Sequence, residues 1–194
     1  MTITEFAIIV FNSPPDFSDP ALQSLFQKLS SWQSECSGLP LRFFTNRDEP
    51  TEVYLVTGWT SVAAHEGWIR GERNQELLRV FGPYVDMPRI RMVHVGVDFE
   101  AMQKDAGCGG MVMVVERYDG ARRWRETTSF VEEGRYAWSL AGRDLARDDG
   151  DAFRFVGVRA DGGEVEVGRD KLTPIERWAL RRVEPSLGQS SAVL

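Results

Sequence analysis

The run TEFAIIVFN from Thr4 to Asn12 is dense in β-branched and aromatic residues and stops at Asn-Ser-Pro-Pro, which predicts a strand followed by a turn. Asp19-Pro20 then opens a stretch with Leu22, Leu25, Phe26, Leu29 and Trp32 at helical spacing, ending near Gly38. A short strand over Leu41–Asn46, a turn at Arg47-Asp48-Glu49-Pro50 and a second strand over Glu52–Thr60 read as a hairpin. Ser61 is placed to cap a helix through about Arg70; Gly71 interrupts it, and a second helical piece runs from Arg73 to about Phe81, before Pro83. Met87–Glu100 then reads as one long strand, with Ile90, Met92 and His94 on one face and Arg91, Val93, Val95 and Val97 on the other. The order β-α-β-β-α-β is the ferredoxin-like split βαβ pattern of an α+β fold. Its helices cover one face of the sheet, and the other face, apolar too, calls for a second sheet as its cover.

Residues 101–109, rich in Gly and Ala, read as a linker between a first half (1–100) and a second half (110–194). Strands are expected at Gly110–Tyr118, Tyr136–Arg143 and Asp151–Ala160, with a turn at Asp161-Gly162-Gly163 into a short strand Glu164–Val167. Thr173-Pro174-Ile175-Glu176 has the form of a capping box with Pro at the first helical position, which predicts a C-terminal helix with Ile175, Trp178 and Ala179 inward. The segment 121–133 is charged and weakly periodic, the tail after Pro185 is expected to fray, and no last strand stands out. The second half therefore reads as a degenerate echo of the first.

The chain has 194 residues and a formal net charge of -6, without a run of Lys and Arg that would suit a nucleic acid. Cys36 and Cys108 form no CxxC, which argues against a disulfide scaffold or a four-ligand zinc site. The N-terminus lacks a basic stretch before its short apolar run, and no window approaches the ~20 apolar residues of a membrane span. A cytoplasmic protein with neither nucleic acid nor membrane as partner is expected.

P-loop, GxGxxG, GxSxG and HExxH motifs are absent. The informative segment is Trp59–Tyr84. Val62, His65 and Ile69 share a helical stripe beside Trp68, and Asn74 lies on the stripe of Leu77, Leu78 and Phe81. Polar groups on faces that should be apolar must be satisfied or used. His65 is read either as a core histidine bonded to backbone or as a general acid/base lining a pocket. Asn74 suits a cap or loop bond, and Trp59 and Trp68 suit either the core or the wall of a site for a flat ligand. His94, mid-strand beside Met92, reads first as core, and Arg79 as a solvated helix residue or an oxyanion partner.

At these residues the sequence resembles a family. The pattern GW-T-S-x-x-x-H-x-x-W-I…N-Q-x-L-L…P-Y from Gly58 to Tyr84 is similar to the dimeric α/β-barrel superfamily and, within it, to the antibiotic-biosynthesis-monooxygenase-like proteins. The resemblance covers residues 4–100 and, more loosely, 110–160. It implies a ferredoxin-like half-barrel whose open sheet face pairs with a second copy, in a homodimer or, as a pseudo-dimer, within one chain. Members act on aromatic polyketides without metal or flavin: some oxidise anthrones, relatives cyclise or decarboxylate polyketide chains, others bind haem, and others have no known chemistry. In the anthrone-oxidising branch a cavity Trp followed six positions on by a polar residue corresponds here to Trp59 and His65, and a late helix Arg to Arg79. The family's cavity Asn on the third strand is replaced by Leu55, which favours acid/base chemistry by His65 over oxygenation.

The resulting expectation is a cofactor-free enzyme of secondary metabolism for an aromatic or polyketide-like molecule. His65 would move a proton alpha to a carbonyl, Arg79 or Asn74 would steady the enolate, and Trp59, Trp68, Tyr84 and His94 would form the binding wall. The alternatives are a non-catalytic small-molecule-binding or stress-type barrel, and haem binding through His65 or His94.

Overall fold

β1 (Ile3–Val10) turns Phe6, Ile8 and Val10 to one face of a sheet and Glu5, Ala7 and Ile9 to the other, the period-two alternation of a strand buried on both sides. A computed structural model describes residues 1–105, 111–119, 137–146, 150–159 and 174–184. α1 (Pro20–Ser37) starts where the Asp19 carboxylate accepts from Ala21 N and stops at Gly38, whose φ of 73° is left-handed. β2 (Arg42–Thr45) and β3 (Glu52–Trp59) form the expected hairpin. α2 (Val62–Arg70) begins at Ser61, whose side chain accepts from Ala64 N, and α3 (Glu72–Phe81) follows the break at Gly71.

The strand expected over Met87–Glu100 is shorter. A 3-10 turn at Met87–Arg89 holds Pro88, which has no N–H for a ladder; β4 is Arg91–Val95, and α4 (Phe99–Asp105) takes the start of the expected linker. Past the strand end, the Asp98 carboxylate accepts from Glu100 N (3.4 Å), a local bond at the start of α4 that competes with extension, and from Thr2 Oγ1 (2.6 Å) across the fold. β5 (Met111–Tyr118), β6 (Trp138–Arg143) and β7 (Ala152–Arg159) follow.

The expected C-terminal helix is a strand, β8 (Glu176–Val183). Trp178 and Leu180 are buried while Arg177 and Ala179 between them are exposed, which is strand alternation. β8 is the missing last strand: it pairs with β2 through Phe43–Thr45 and with β5 through Val112–Arg117. Two waiting strand edges outweigh one capping signal. The expected strand Glu164–Val167, the segment 121–133, Tyr136 and the tail after Pro185 lie outside the described residues.

The eight strands form one sheet in the order β4-β1-β3-β2-β8-β5-β7-β6, antiparallel throughout its named pairings. Its two ends meet. Val95 bridges Asp144, Gly96 N donates to Arg143 O (2.9 Å) and Leu145 N to His94 O (2.8 Å), so the sheet curls into a near-barrel. The bore is filled, not open: Phe6 packs edge-on against Phe155 with centroids 6.0 Å apart and lies 5.5 Å from Trp178. α1, α2 and α3 cover the outer face of β1 to β4 through a second apolar cluster around Phe26, Phe43 and Phe81. Among the described residues no helix is long and apolar enough to cross a membrane.

The seam between β4 and β6 depends on Gly142. A Cβ there would stand 2.8 Å from the Gly96 carbonyl carbon and oxygen, and backbone cannot swing aside as a side chain can. Gly142→Ala is expected to lose about 1–3 kcal/mol in denaturant unfolding; an unchanged midpoint would mean that the seam is not this tight.

Candidate active site

The polar cluster is built on the outer face of β1. Register places Glu5 directly opposite Thr57 of β3 and His94 of β4, so a carboxylate and an imidazole stand side by side on one sheet face. α2, started by Ser61, lays His65 over both. Its Nε2 is 3.3 Å from Glu5 Oε2, and its Nδ1 shares a 2.7 Å hydrogen bond with His94 Nε2. Two further groups hold the carboxylate: Trp59 Nε1 donates to Oε2 at 2.7 Å and Gln33 Nε2, from α1, at 3.0 Å. The Trp59 indole also stacks on the His65 ring, centroids 4.6 Å apart and planes 24° from parallel, which fixes the ring's orientation.

Every member of this cluster is buried, Glu5 to 4% exposure and His65 to 3%. Desolvation penalises the charged form of each group. Burial pushes the Glu5 carboxyl up to about 7, against the lowering effect of its bonds from Trp59 and Gln33. Burial, and then the neighbouring His94, push His65 down to about 3. His94 is also lowered by burial, with Asp144 and Glu66 drawing it partly back. Near neutral pH both imidazoles are uncharged, and Glu5 stands between its two protonation states.

Glu5, Gln33, His65 and Asn74 meet an otherwise apolar cavity of about 220 Å³ between the sheet and α1 to α3. Leu55 lies in its floor, and Trp68, Leu77 and Phe81 form its walls. An apolar chamber with a few convergent polar groups and a shifted carboxyl is the usual form of a small-molecule site. Imidazole ligands to a metal must aim their lone pairs at one point about 2.0–2.1 Å away. Here the His65 and His94 nitrogens are turned toward each other, and among the described residues no set of His, Cys, Asp and Glu converges to hold a metal ion.

Three solved structures share this architecture. A candidate monooxygenase from Fusobacterium nucleatum subsp. nucleatum superposes with a TM-score of 0.62 at 10% identity, over 94% of this chain and 93% of its own. An anthrone oxidase-like protein gives 0.58 at 12% identity, over 94% and 92%. A candidate monooxygenase from Lactobacillus acidophilus gives 0.55 at 8% identity, over 95% and 94%. These proteins belong to the dimeric α/β-barrel superfamily. The fold here is a dimeric-α/β-barrel-like one. At such identities the likeness is one of fold, and neither a protein-family model nor a curated protein matches the sequence.

On this barrel-like frame, three of the residues singled out in the sequence, His65, Trp68 and Asn74, line the cavity. Asn74 also makes a local bond, Nδ2 to Ile69 O at 3.1 Å, which ties α3 to the end of α2. Trp59 and His94 stand behind the lining, in contact with His65. Arg79 is exposed on α3, and Tyr84 lies on the turn after it, where its carbonyl accepts from Asn12 N; neither is on the cavity wall. The sequence reading missed Glu5 and Gln33. Both carried a signal: Glu5 has the strand phase of Ala7 and Ile9, and Gln33 continues the buried stripe of Leu22, Phe26 and Leu29.

Proposed function

We propose that this protein is a small-molecule enzyme that works by acid–base chemistry, without a cofactor, on an aromatic or polyketide-like carbonyl compound. The observation that carries the reading is the Glu5–His65 pair, a carboxyl raised toward neutrality with an imidazole nitrogen 3.3 Å away at the edge of an apolar cavity. In this reading the Glu5 carboxylate takes a proton alpha to the carbonyl, giving the enolate and a neutral carboxyl, or returns it in the reverse sense. Trp68 offers a flat apolar wall, and the amides of Asn74 and Gln33 are the donors within reach of the enolate oxygen. The role first given to Arg79 passes to them. The neighbours named monooxygenase and anthrone oxidase-like support a small-molecule enzyme at the coarser level. The recurrence of the strand order, β4-β1-β3-β2 and then β8-β5-β7-β6, supports a pseudo-dimer in which the second half supplies the partner sheet within one chain.

The test is an incubation of wild type, His65→Ala and Glu5→Gln with a small-molecule extract from source cells lacking the gene, followed by mass spectrometry. One ion is expected to be consumed by wild type and spared by the folded variants, with turnover lowered about 10²- to 10⁴-fold. The mass difference names the reaction: loss of water, loss of carbon dioxide or gain of oxygen. If no ion changes while one is retained on the wild type after washing, the protein is a binding barrel and not an enzyme.

A further inference from the structure

His94 is off the cavity wall, and it joins the cluster through the 2.7 Å bond between His65 Nδ1 and its own Nε2. Beyond it runs the barrel seam. The His94 carbonyl accepts from Leu145 N, the next residue Val95 bridges Asp144, and Asp144 lines a second cavity of about 190 Å³ at the mouth of the barrel, beside Arg91, Arg117 and Asp151. The titratable groups that face His94 are Glu5 from β1, His65 and Glu66 from α2, and Asp144 from the segment after β6. One ring nitrogen of His94, Nε2, is bonded to His65, and Asp144 at the seam is the carboxylate with the larger effect on the ring, ahead of Glu66.

We propose that Glu5, His65 and His94 form a proton wire between the cavity and the barrel seam, with His94 as its outer terminus and a positioning residue for the reaction. The proposal rests on the reading of Glu5 as the group that exchanges a proton with substrate. When Glu5 is ionised, His65 Nε2–H faces it across the 3.3 Å contact, His94 Nε2–H donates to His65 Nδ1, and His94 Nδ1 carries no proton. A proton arriving at His94 Nδ1 sends the Nε2 proton to His65 Nδ1, and the His65 Nε2 proton passes to Glu5 Oε2. One proton has entered and one has reached Glu5. Both imidazoles end neutral, each in its other tautomer, and neither ring has turned. The reverse sequence clears a proton that Glu5 has taken from substrate.

Three features suit this device. Burial disfavours imidazolium on either ring, so a transfer that never charges them is the accessible one. The Trp59 stack steadies the His65 ring with Nδ1 bonded to His94 and Nε2 3.3 Å from Glu5 Oε2. A substrate filling the cavity would also seal Glu5 from water on that side, which leaves the seam as its route for exchange.

The chain has only two histidines, so their ¹⁵N signals are assignable without ambiguity. Long-range ¹H–¹⁵N spectra of the uniformly labelled protein, recorded from pH 5 to 9 beside the Glu5 carboxyl ¹³C shift, read both tautomers and the carboxyl together. Both rings are expected to stay neutral and to exchange Nε2–H for Nδ1–H as Glu5 takes up its proton, with one averaged signal for each nitrogen. In His94→Gln, whose amide can bond His65 but cannot pass a proton through, the averaged His65 signal is expected to split into two sets. Rings that keep their tautomers or become charged while Glu5 titrates overturn the wire and leave the acid–base reading standing, as does an averaged His65 signal in His94→Gln. A Glu5 carboxyl that does not titrate in this range overturns both.

Discussion

Glu5→Gln is expected to gain on the wild type by about 3 kcal/mol in folding stability as the pH rises from 4.5 to 7. The unfolded carboxyl ionises near its ordinary value of 4.5, while the folded one holds its proton to about 7. Between these values the folded state binds more protons than the unfolded, so the contribution of neutral Glu5 is complete below pH 4.5 and is lost as the pH passes through about 7. Glutamine keeps the shape and an amide oxygen for Trp59 Nε1 but cannot ionise, so the variant escapes this loss. His65 works in the opposite sense. Its folded value near 3 lies below the ordinary 6.5, so its contribution is absent at acid pH and grows from about 3 to 6.5. Over pH 4.5 to 6.5 the two slopes oppose each other, and the wild type should be flatter than the variant. Denaturant unfolding of both proteins at pH 4.5, 5.5, 6.5 and 7.5 measures the difference; a gap that does not change with pH would mean that Glu5 ionises as an ordinary surface carboxylate.

That group illustrates what the sequence made legible and what it left hidden. Caps such as Asp19 and Ser61, the break at Gly71 and the β-branched, aromatic runs of β1 and β3 are local, and each produced the element it announced. Glu5 was passed over because a single charged residue in a strand is ordinarily given to the solvent face. Its phase with Ala7 and Ile9 placed it on the helix-covered face, where a charge needs partners. The partner His94 was legible as a polar residue beside Met92, but its place next to Glu5 depends on β4 crossing over to pair with β1, a contact some ninety residues away in the chain. His65 and Trp68 were readable because helical spacing puts them on one stripe, whereas Arg79 shared the helix of Leu77 and Leu78 and faced outward.

The C-terminal segment shows the opposite error, a strong local signal overruled by distant partners, and it carries a sharp test. Trp178→Ala is expected to cost about 3–5 kcal/mol and Leu180→Ala about 2–5 kcal/mol in denaturant unfolding, while Ala179→Lys should change stability by no more than about 0.5 kcal/mol. Trp178 and Leu180 face the filled bore, where Trp178 meets Phe6 across the barrel; Ala179 is exposed between them. Helical phase would group Ile175, Trp178 and Ala179 instead, and a lysine at 179 would then cost as much as the loss of Leu180. The consequence reaches beyond one strand. Among the described residues β8 is the strand hydrogen-bonded to both β2 and β5, so its inner side chains join the two halves of the sheet at the point opposite the β4–β6 seam. A barrel loosened at β8 can close at that seam only if the seam bonds hold by themselves. In Trp178→Ala the protection of Gly96 N and Leu145 N from hydrogen exchange should therefore fall together with global stability, whereas independent protection at those two amides would show that the seam closes without β8.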